Sequence, residues 1–278
     1  MPRKFLCLLS VSAALVCVPQ GQAQINDAPS AFEQVFYASG NLKIEAYVFK
    51  PQGKGPFPVV IYNHGSRPGH ERAERPFAYV GKMLATNGYF VVVPERRGYG
   101  KSDGRQFSEE IGEDRGPRYV VRLQQEADDV IAAAEFAQTL PDADGSRITV
   151  MGWSFGGIVS VLAASRSDVF KVVVDQAGGA LSWDGSPALQ TALKEAASKI
   201  RIPLLGMVAE NDRTTKSVKI VVEGAKKHGS RATLIVYPAF KSKENPSGVA
   251  PGHMIFSADG ALLWESDLKD FLKEGLKE

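Results

Sequence analysis

Short segments that are apolar at every position recur along the chain, and they constrain its fold more than any other feature. A strand of this kind is buried on both faces, as in a parallel sheet covered by helices. The segments are 58–62, 89–93, 148–151, 172–174, 204–208 and 234–237. Before them, residues 32–38 and 42–49 alternate between apolar and polar around Ser39-Gly40-Asn41, which predicts an antiparallel hairpin.

Helical periodicity fills the intervals between these segments. In residues 118–140 apolar side chains recur at near-helical spacing, and Pro141 follows the end of the pattern. Comparable stretches are 76–87, 155–165, 187–200, 215–228 and 261–277. The alternation predicts an α/β fold with a doubly wound, mostly parallel sheet of about eight strands and an antiparallel N-terminal hairpin. No connection is long enough for a large lid domain, and residues 24–278 are expected to form a single domain.

Residues 1–23 have the pattern of a secretory signal peptide. Arg3 and Lys4 precede an apolar stretch over residues 5–18, and Gly21-Gln22-Ala23 places small residues at the −3 and −1 positions of a cleavage site. The stretch is shorter than the roughly 20 apolar residues of a membrane-spanning helix, although a retained N-terminal anchor is the alternative. We therefore expect an exported protein, periplasmic or extracellular, with no stable membrane span after processing.

Removal of this segment changes what charge and cysteine content imply. The chain has 33 Lys and Arg and 31 Asp and Glu, and the segment holds two basic residues and no acidic one, so the remainder is close to neutral. Nucleic-acid binding therefore receives no support. Cys7 and Cys17 both lie in the segment. The mature protein is expected to have no disulfide, thiolate nucleophile or thiolate metal site.

The run Gly152-Trp153-Ser154-Phe155-Gly156 follows the apolar segment 148–151 and opens the next helical stretch. A Gly-x-Ser-x-Gly run between a strand and a helix is typical of a nucleophile elbow, whose sharp turn needs small neighbouring residues. Ser154 is therefore the candidate nucleophile. The backbone N–H of Phe155, at the start of the helix, is free to donate to an oxyanion. The alternative is a glycine-rich helix start that packs closely on the sheet.

A serine hydroxyl needs a general base, and four histidines are available. His253, between Gly252 and Met254 after the last predicted strand, is the best candidate for the base. His228 precedes Gly229 at a predicted helix end, where a structural role is expected. His64 suits an oxyanion loop after a strand, and His70 lies in a polar loop.

The base in turn needs an acid that orients it. Asp212 follows the segment 204–208 and would lie at the same edge of the sheet as Ser154, because catalytic groups collect at the carboxyl ends of parallel strands. Glu210 and Asp175 are alternatives at comparable positions. The order Ser154, Asp212, His253 is the order of a nucleophile, acid and base in α/β-hydrolases.

The chain thus resembles the α/β-hydrolase superfamily, and within it the dienelactone-hydrolase-like esterases and related peptidase domains, from about residue 32 to its end. Three further stretches carry the resemblance: Tyr62-Asn63-His64-Gly65-Ser66, an oxyanion loop; Pro94 to Ser102, a turn after the fourth strand; and Pro251-Gly252-His253, the histidine loop. The resemblance implies a second oxyanion donor in the N–H of Ser66, and no cofactor or metal. Dienelactone hydrolases use a cysteine nucleophile, whereas this chain has Ser154.

The expected substrate is a small-molecule ester or a short peptide. Arg67 and Arg72, near the oxyanion loop, are candidates for binding an anionic substrate group, although a solvated loop with local ion pairs is the simpler interpretation. Trp153, Phe155 and Trp183 are candidates for an apolar pocket. Residues 241–252, rich in Gly and Pro, are the most plausible mobile loop. Besides an esterase, the sequence allows a peptidase or amidase with the same residues, or a non-catalytic exported binding protein. The oligomeric state is left open.

Overall fold

A computed structural model of the chain describes residues 32–243 and 248–277. The predicted signal peptide, residues 1–23, lies outside them. The described residues form one sheet of eight strands in the order β1-β2-β4-β3-β5-β6-β7-β8. The strands are β1 (Glu33–Ser39), β2 (Leu42–Phe49), β3 (Phe57–Asn63), β4 (Phe90–Glu95), β5 (Ala143–Trp153), β6 (Phe170–Gln176), β7 (Leu204–Ala209) and β8 (Ala232–Tyr237).

Six of these strands, β3 to β8, run parallel to their neighbours. The N-terminal pair is antiparallel, as the alternating pattern around Ser39-Gly40-Asn41 predicts. In addition, β2 pairs antiparallel with β4, which is how the hairpin joins the sheet. The predicted eight-stranded, mostly parallel sheet with an antiparallel N-terminal pair is therefore confirmed.

Seven α-helices connect the strands in the described part of the chain. They are α1 (Ala78–Thr86), α2 (Phe107–Glu110), α3 (Pro117–Gln138), α4 (Phe155–Ala164), α5 (Pro187–Ala197), α6 (Lys216–Lys227) and α7 (Ala261–Gly275). Helices α3 to α6 contact one another in succession, while α1 packs on β2 and β4 and α7 packs on β6. Every residue of β4 and of β7 is buried, because helices cover the sheet on both sides.

The centre of the molecule is the unit β5–α4–β6. All ten residues of α4 are buried, and the helix contacts β5, β6, α3 and α5. A helix that is apolar on all sides is stable only when other elements cover all of its faces. These contacts fix the position of the first residue of α4. Since α4 begins directly after β5, the residue between them, Ser154, is held by the most enclosed part of the fold.

Candidate active site

Ser154 lies at the turn between β5 and α4 with a backbone conformation of φ 60° and ψ −115°. A positive φ costs a non-glycine residue on the order of 1–3 kcal/mol, so the surrounding structure must hold it in place. The N–H of Ser154 donates to the carbonyl of Gln176 at 2.8 Å, which ties the turn to the end of β6. This is the sharp turn that the Gly-x-Ser-x-Gly run predicts.

The two glycines of that run leave room for the turn. A Cβ at Gly152 would lie 2.4 Å from the carbonyl oxygen of Gly156, and a Cβ at Gly156 would lie 2.0 Å from the carbonyl oxygen of Asn63. Both distances are shorter than any contact that a side chain tolerates. Glycine at 152 and 156 is therefore needed for β5, α4 and the end of β3 to approach this closely.

His253 lies in a 3₁₀ turn, Pro251–Phe256, that follows β8 along the chain. The side chain is 3 % exposed, and its Nε2 lies 2.7 Å from Oγ of Ser154. The carbonyl of His253 accepts a hydrogen bond from Nε1 of Trp153 at 3.1 Å. The histidine is thus held both through its ring and through its backbone, next to the candidate nucleophile.

Asp212 lies in the loop after β7 and completes the arrangement. Its Oδ2 lies 2.8 Å from Nδ1 of His253, and its Oδ1 accepts from the N–H of Arg213 at 2.7 Å. Asn211 exchanges two hydrogen bonds of 2.9 Å with the backbone of Phe240, which joins the loops that follow β7 and β8. Three side chains from separate strand ends therefore form one hydrogen-bonded series, from Asp212 through His253 to Ser154.

The two alternative acids lie elsewhere. Glu210 is exposed, and its Oε1 accepts from the N–H of Ala239 at 3.0 Å. Asp175 is buried under the start of α4, where its Oδ1 accepts from the N–H of Gly178 at 2.7 Å. Burial raises the pKa of Asp175 to about 7, and the hydrogen bond from Gly178 offsets this only in part. Neither carboxyl contacts His253.

The other three histidines do not contact Ser154. His64 is fully buried, stacks on Phe77 with ring centroids 5.4 Å apart, and donates from Nδ1 to the carbonyl of Gly65 at 2.7 Å. Burial, with the nearby charge of Arg96, lowers its pKa, so the ring is neutral and its donor is Nδ1. His228 bonds the carbonyl of Gly224 at 2.8 Å at the end of α6, and His70 is exposed.

The loop after β3 lies against Ser154, as the proposed oxyanion donors require. A Cβ at Gly65 would lie 3.4 Å from Cβ of Ser154 and 3.9 Å from its Oγ, so the backbone leading to Ser66 runs beside the hydroxyl. Phe155 is the first residue of α4, and the first N–H groups of a helix have no acceptor within it. The N–H groups of Ser66 and Phe155 stay predicted as the oxyanion donors.

Two clefts meet at Ser154. The first has a volume of about 290 Å³ and is lined on its apolar side by Phe107, Tyr119, Phe155 and Ile158. The second has a volume of about 370 Å³, and its lining includes Phe77, Trp153, His253 and Met254. We name them the Phe155 cleft and the His253 cleft. Ser66, Arg67, Pro68 and Leu181 line both.

The structure gives Arg67 and Arg72 partners within the protein. The guanidinium of Arg67 is 3 % exposed and forms two hydrogen bonds with the carboxylate of Glu95, one of them 3.2 Å long. Burial raises the pKa of Glu95 to about 7, and Arg67 opposes that rise. Arg72 donates to the carbonyls of Gly100, Ser102 and Gly104. The local interpretation of these arginines therefore fits better than substrate binding.

Of the two tryptophans that the sequence suggests for a pocket, Trp153 lines the His253 cleft. Trp183 is 3 % exposed and lines neither cleft, because it packs into the core after β6. Sequence reasoning missed Arg115 and Arg213, the cations that line the Phe155 cleft beside Tyr119. Only the direct neighbourhood of Arg213 and Asp212 in the sequence could have pointed to one of them.

Residues 32–243 and 248–277 lack two kinds of feature. They contain no group of three or more His, Cys, Asp and Glu side chains arranged to hold a metal ion. Within the same ranges, no helix has both the length and the apolar character needed to cross a membrane.

The sequence is similar to one protein family and to several individual proteins. The model of the prolyl oligopeptidase family matches residues 76–186. The quorum-quenching protein AidA of Acinetobacter baumannii is 27 % identical over 55 % of this chain and 45 % of its own length. A probable dipeptidyl-aminopeptidase B of Metarhizium robertsii is 33 % identical over 44 % of this chain and 13 % of its own. This chain thus spans less than half of both relatives.

A third relative is matched over more of its length. A putative carboxymethylenebutenolidase of Methylorubrum extorquens is 26 % identical over 73 % of this chain and 70 % of its own length. Among solved structures, an acylaminoacyl peptidase of Pyrococcus horikoshii superposes with a TM-score of 0.66 at 18 % identity, covering 89 % of this chain and 42 % of that one. An esterase of Pyrococcus furiosus gives 0.63 at 19 % identity, covering 88 % and 92 %. The fold and the sequence similarities together place the chain in the α/β-hydrolase superfamily.

Proposed function

We propose that the protein hydrolyses carboxylic esters of small molecules through an acyl-enzyme on Ser154. The observation that carries this proposal is the continuous series in which Ser154 Oγ lies 2.7 Å from His253 Nε2 and His253 Nδ1 lies 2.8 Å from Asp212 Oδ2. The ring can accept a proton at one nitrogen while the other stays hydrogen-bonded to a carboxylate. That arrangement activates a hydroxyl that is otherwise a weak nucleophile.

In the first half of the reaction, Ser154 Oγ forms a bond to the ester carbonyl carbon and its proton passes to Nε2 of His253. Asp212 stabilises the imidazolium that results. The carbonyl oxygen becomes an oxyanion, to which the N–H groups of Phe155 and Ser66 are the proposed donors. One such donor contributes about 2.7–4 kcal/mol to transition-state stabilisation in a serine protease. The C–O bond of the ester then breaks, and Nε2 gives the proton to the departing alcohol.

In the second half, water hydrolyses the acyl-enzyme. His253 takes a proton from water, whose oxygen attacks the acyl carbon, and then returns that proton to Ser154 Oγ as the serine leaves. The products are one carboxylic acid and one alcohol, and the protein is unchanged.

The extent of one sequence match and one structural match supports an ester rather than a peptide substrate. The carboxymethylenebutenolidase relative and the Pyrococcus furiosus esterase are matched over 70 % and 92 % of their lengths. The probable dipeptidyl-aminopeptidase B is matched over 13 %. A peptidase or amidase with the same three residues is the second candidate, favoured by the prolyl oligopeptidase match over residues 76–186.

A fluorophosphonate probe tests the nucleophile. We expect the native protein to be labelled, Ser154→Ala to lose the label, and Ser165→Ala, at the far end of α4, to keep it. We expect phenyl and benzyl esters of short acids to be cleaved faster than the matching anilides and proline-containing peptides. A native protein that takes no label, or that cleaves only peptides, would refute the ester proposal.

We also propose that residues 1–23 direct export and are removed. The charged start, apolar stretch and Gly21-Gln22-Ala23 support this proposal. N-terminal sequencing of the protein from a periplasmic or culture fraction should begin at Gln24. Recovery of the full-length chain from the cytoplasm alone would contradict export.

A further inference from the structure

We infer that the two clefts divide the substrate between them, and that the acyl part, in the Phe155 cleft, carries an anionic group. This inference rests on the proposed ester hydrolysis and adds a substrate class to it. The class is a monoester of a short dicarboxylic acid with an apolar alcohol.

His253 decides which cleft receives the alcohol. The departing oxygen takes its proton from Nε2, so the leaving group must lie on the side of Ser154 where the imidazole is. His253 lines the 370 Å³ cleft and does not line the 290 Å³ cleft. The alcohol therefore occupies the His253 cleft, and the acyl chain extends into the Phe155 cleft.

Four charged residues besides the catalytic series line the Phe155 cleft. Two of them, Arg67 and Glu71, form contacts with other parts of the protein. Arg67 is paired with Glu95. Glu71 is 1 % exposed, and its Oε1 accepts from the N–H of Ser108 at 3.0 Å. Burial raises the pKa of Glu71, but hydrogen bonds, first that with Ser108, outweigh it and lower the pKa, so Glu71 adds one negative charge to the lining against the two of Arg115 and Arg213.

Arg115 and Arg213 are different, because their guanidinium groups donate only to backbone carbonyls. Arg115 bonds the carbonyls of Gly112 and Asp114 and lies over the ring of Tyr119 at 5.1 Å from its centroid. Arg213 bonds the carbonyls of Leu181 and Gly248, both at 3.3 Å. Neither forms an ion pair with any side chain in the described ranges.

Two arginines without an ion pair in the cleft that Ser154 also lines suit a carboxylate, since the guanidinium fork matches a carboxylate in both geometry and charge. At about 290 Å³ the Phe155 cleft is small, at the lower end of the roughly 300–1,000 Å³ of ligand sites. A short acyl chain that ends in a carboxylate places that group near Arg115 and Arg213 and its methylenes beside Tyr119 and Phe155.

The His253 cleft is lined mostly by apolar side chains. Phe77, Trp153, Val249 and Met254 contribute apolar lining, with Arg75 and Arg67 as its cations. Arg67 is paired with Glu95 and Arg75 forms no ion pair in the described ranges, so this cleft has one unpaired cation beside a lining that is mostly apolar. An aromatic or branched alcohol fits this lining better than a sugar or a charged amine.

The test compares two esters that differ only in charge: monobenzyl succinate and the benzyl ester of succinamic acid, in which an amide replaces the free carboxylate. We expect kcat/KM of the native protein to be at least tenfold higher for the charged ester. A hydrogen bond between a guanidinium and a carboxylate is much stronger than one between neutral groups, so Arg115→Gln and Arg213→Gln should each lower that ratio about tenfold or more. The double variant should bring it close to one.

Arg118→Gln is the matched control. Arg118 lies on α3 near Arg115, is 70 % exposed and lines neither cleft, so it removes the same charge without touching the substrate. The ratio should not change in this variant. The alcohol side is tested by Met254→Ala, which should reduce the preference for benzyl over methyl succinate and leave the acid-to-amide ratio unchanged.

Equal kcat/KM for the two esters in the native protein would overturn the inference, and so would an equal fall of the ratio in Arg118→Gln and Arg115→Gln. In both cases cleavage of the amide ester by Ser154 would leave the proposed hydrolase function intact. Failure of probe labelling and of both esters would instead refute the proposed function.

Discussion

Oδ2 of Asp212 lies 2.8 Å from Nδ1 of His253, while the carboxylate of Glu210, two residues earlier, bonds the N–H of Ala239. The two acids are the first and the third residue after β7. The fold separates them, because the chain turns after Glu210 and directs Asp212 toward the loop that carries His253. Variants of the two residues therefore form a matched pair.

We expect Asp212→Asn to lower kcat by about 10³–10⁴ and Glu210→Gln to change it less than threefold. The amide of Asn cannot stabilise the imidazolium and favours the wrong tautomer of His253, and in a serine protease the same change costs about 10⁴. Steady-state kinetics on a neutral benzyl ester measure both effects. A larger loss in Glu210→Gln than in Asp212→Asn would assign the orienting acid to Glu210.

Substitution of Gly156 tests the elbow itself. A Cβ at position 156 would lie 2.0 Å from the carbonyl oxygen of Asn63, so Gly156→Ala must push α4 away from β3. Overpacking of this kind typically costs about 1–3 kcal/mol, and here it also displaces Ser154. We expect a lower midpoint of urea unfolding and loss of esterase activity.

Gly185→Ala is the control for that variant. The nearest atom to a Cβ at Gly185 is the carbonyl oxygen of Ser182 at 4.0 Å, and its φ is not positive. Alanine there should leave the unfolding midpoint unchanged or raise it slightly, since alanine reduces the entropy of the unfolded chain. Equal effects at 156 and 185 would show that close packing at the elbow is not what requires glycine.

Local patterns predicted the sheet because a strand that is buried on both faces is apolar at every position, and each strand shows this pattern independently of the others. The Gly-x-Ser-x-Gly run likewise carries its own steric requirement. Asp212 and His253 were found from their order and their positions after strands, and the structure brings them together with Ser154. Their catalytic roles remain predictions.

What the sequence did not reveal depends on contacts between distant segments. The pairing of Arg67 with Glu95 joins the loop after β3 to the last residue of β4, 28 residues later, and nothing near Arg67 in the sequence signals it. Arg115, in the loop between α2 and α3, lines the Phe155 cleft together with Ser154 and Arg213, which are distant from it in the sequence. The size and aromatic character of Trp183 are typical of a pocket residue, but its side chain is packed into the core after β6.

The Arg67–Glu95 pair yields a prediction about stability. Removing one member of a buried ion pair costs about 3–5 kcal/mol, because the other charge is left without a partner, whereas replacing both members by apolar residues is often neutral. We expect Arg67→Met to lower the free energy of unfolding, and Arg67→Met with Glu95→Met to recover much of it. Urea unfolding at pH 8 measures both.

The cost of Arg67→Met should also depend on pH. The pKa of Glu95 is raised to about 7, mainly by burial, so below pH 7 this carboxyl is largely protonated and the pair is not fully ionic. The destabilisation should therefore be smaller at pH 5.5 than at pH 8.5. The same loss at both pH values would show that Arg67 acts through packing alone.

Asp175 gives the last prediction, because it is a fully buried carboxyl under the start of α4. Burial raises its pKa in the folded protein from 3.8 to about 7, and among the described residues its hydrogen bond comes from the N–H of Gly178. Between these two values the folded protein keeps a proton that the unfolded chain releases. The contribution of Asp175 to stability is therefore complete below about pH 4 and is lost as the pH rises toward 7.

Asp175→Asn should remove this pH dependence, since Asn keeps the oxygen that accepts from Gly178 and does not ionise. Each pH unit of the window corresponds to about 1.4 kcal/mol, so the stability of the variant relative to the native protein should rise by as much as about 4 kcal/mol from pH 4 to pH 7. Urea unfolding of both proteins at several pH values measures the difference. Other groups with shifted pKa values, such as Glu95, are common to both proteins and cancel. A difference that does not change with pH, or that falls as the pH rises, would contradict a protonated Asp175 under the turn that carries Ser154.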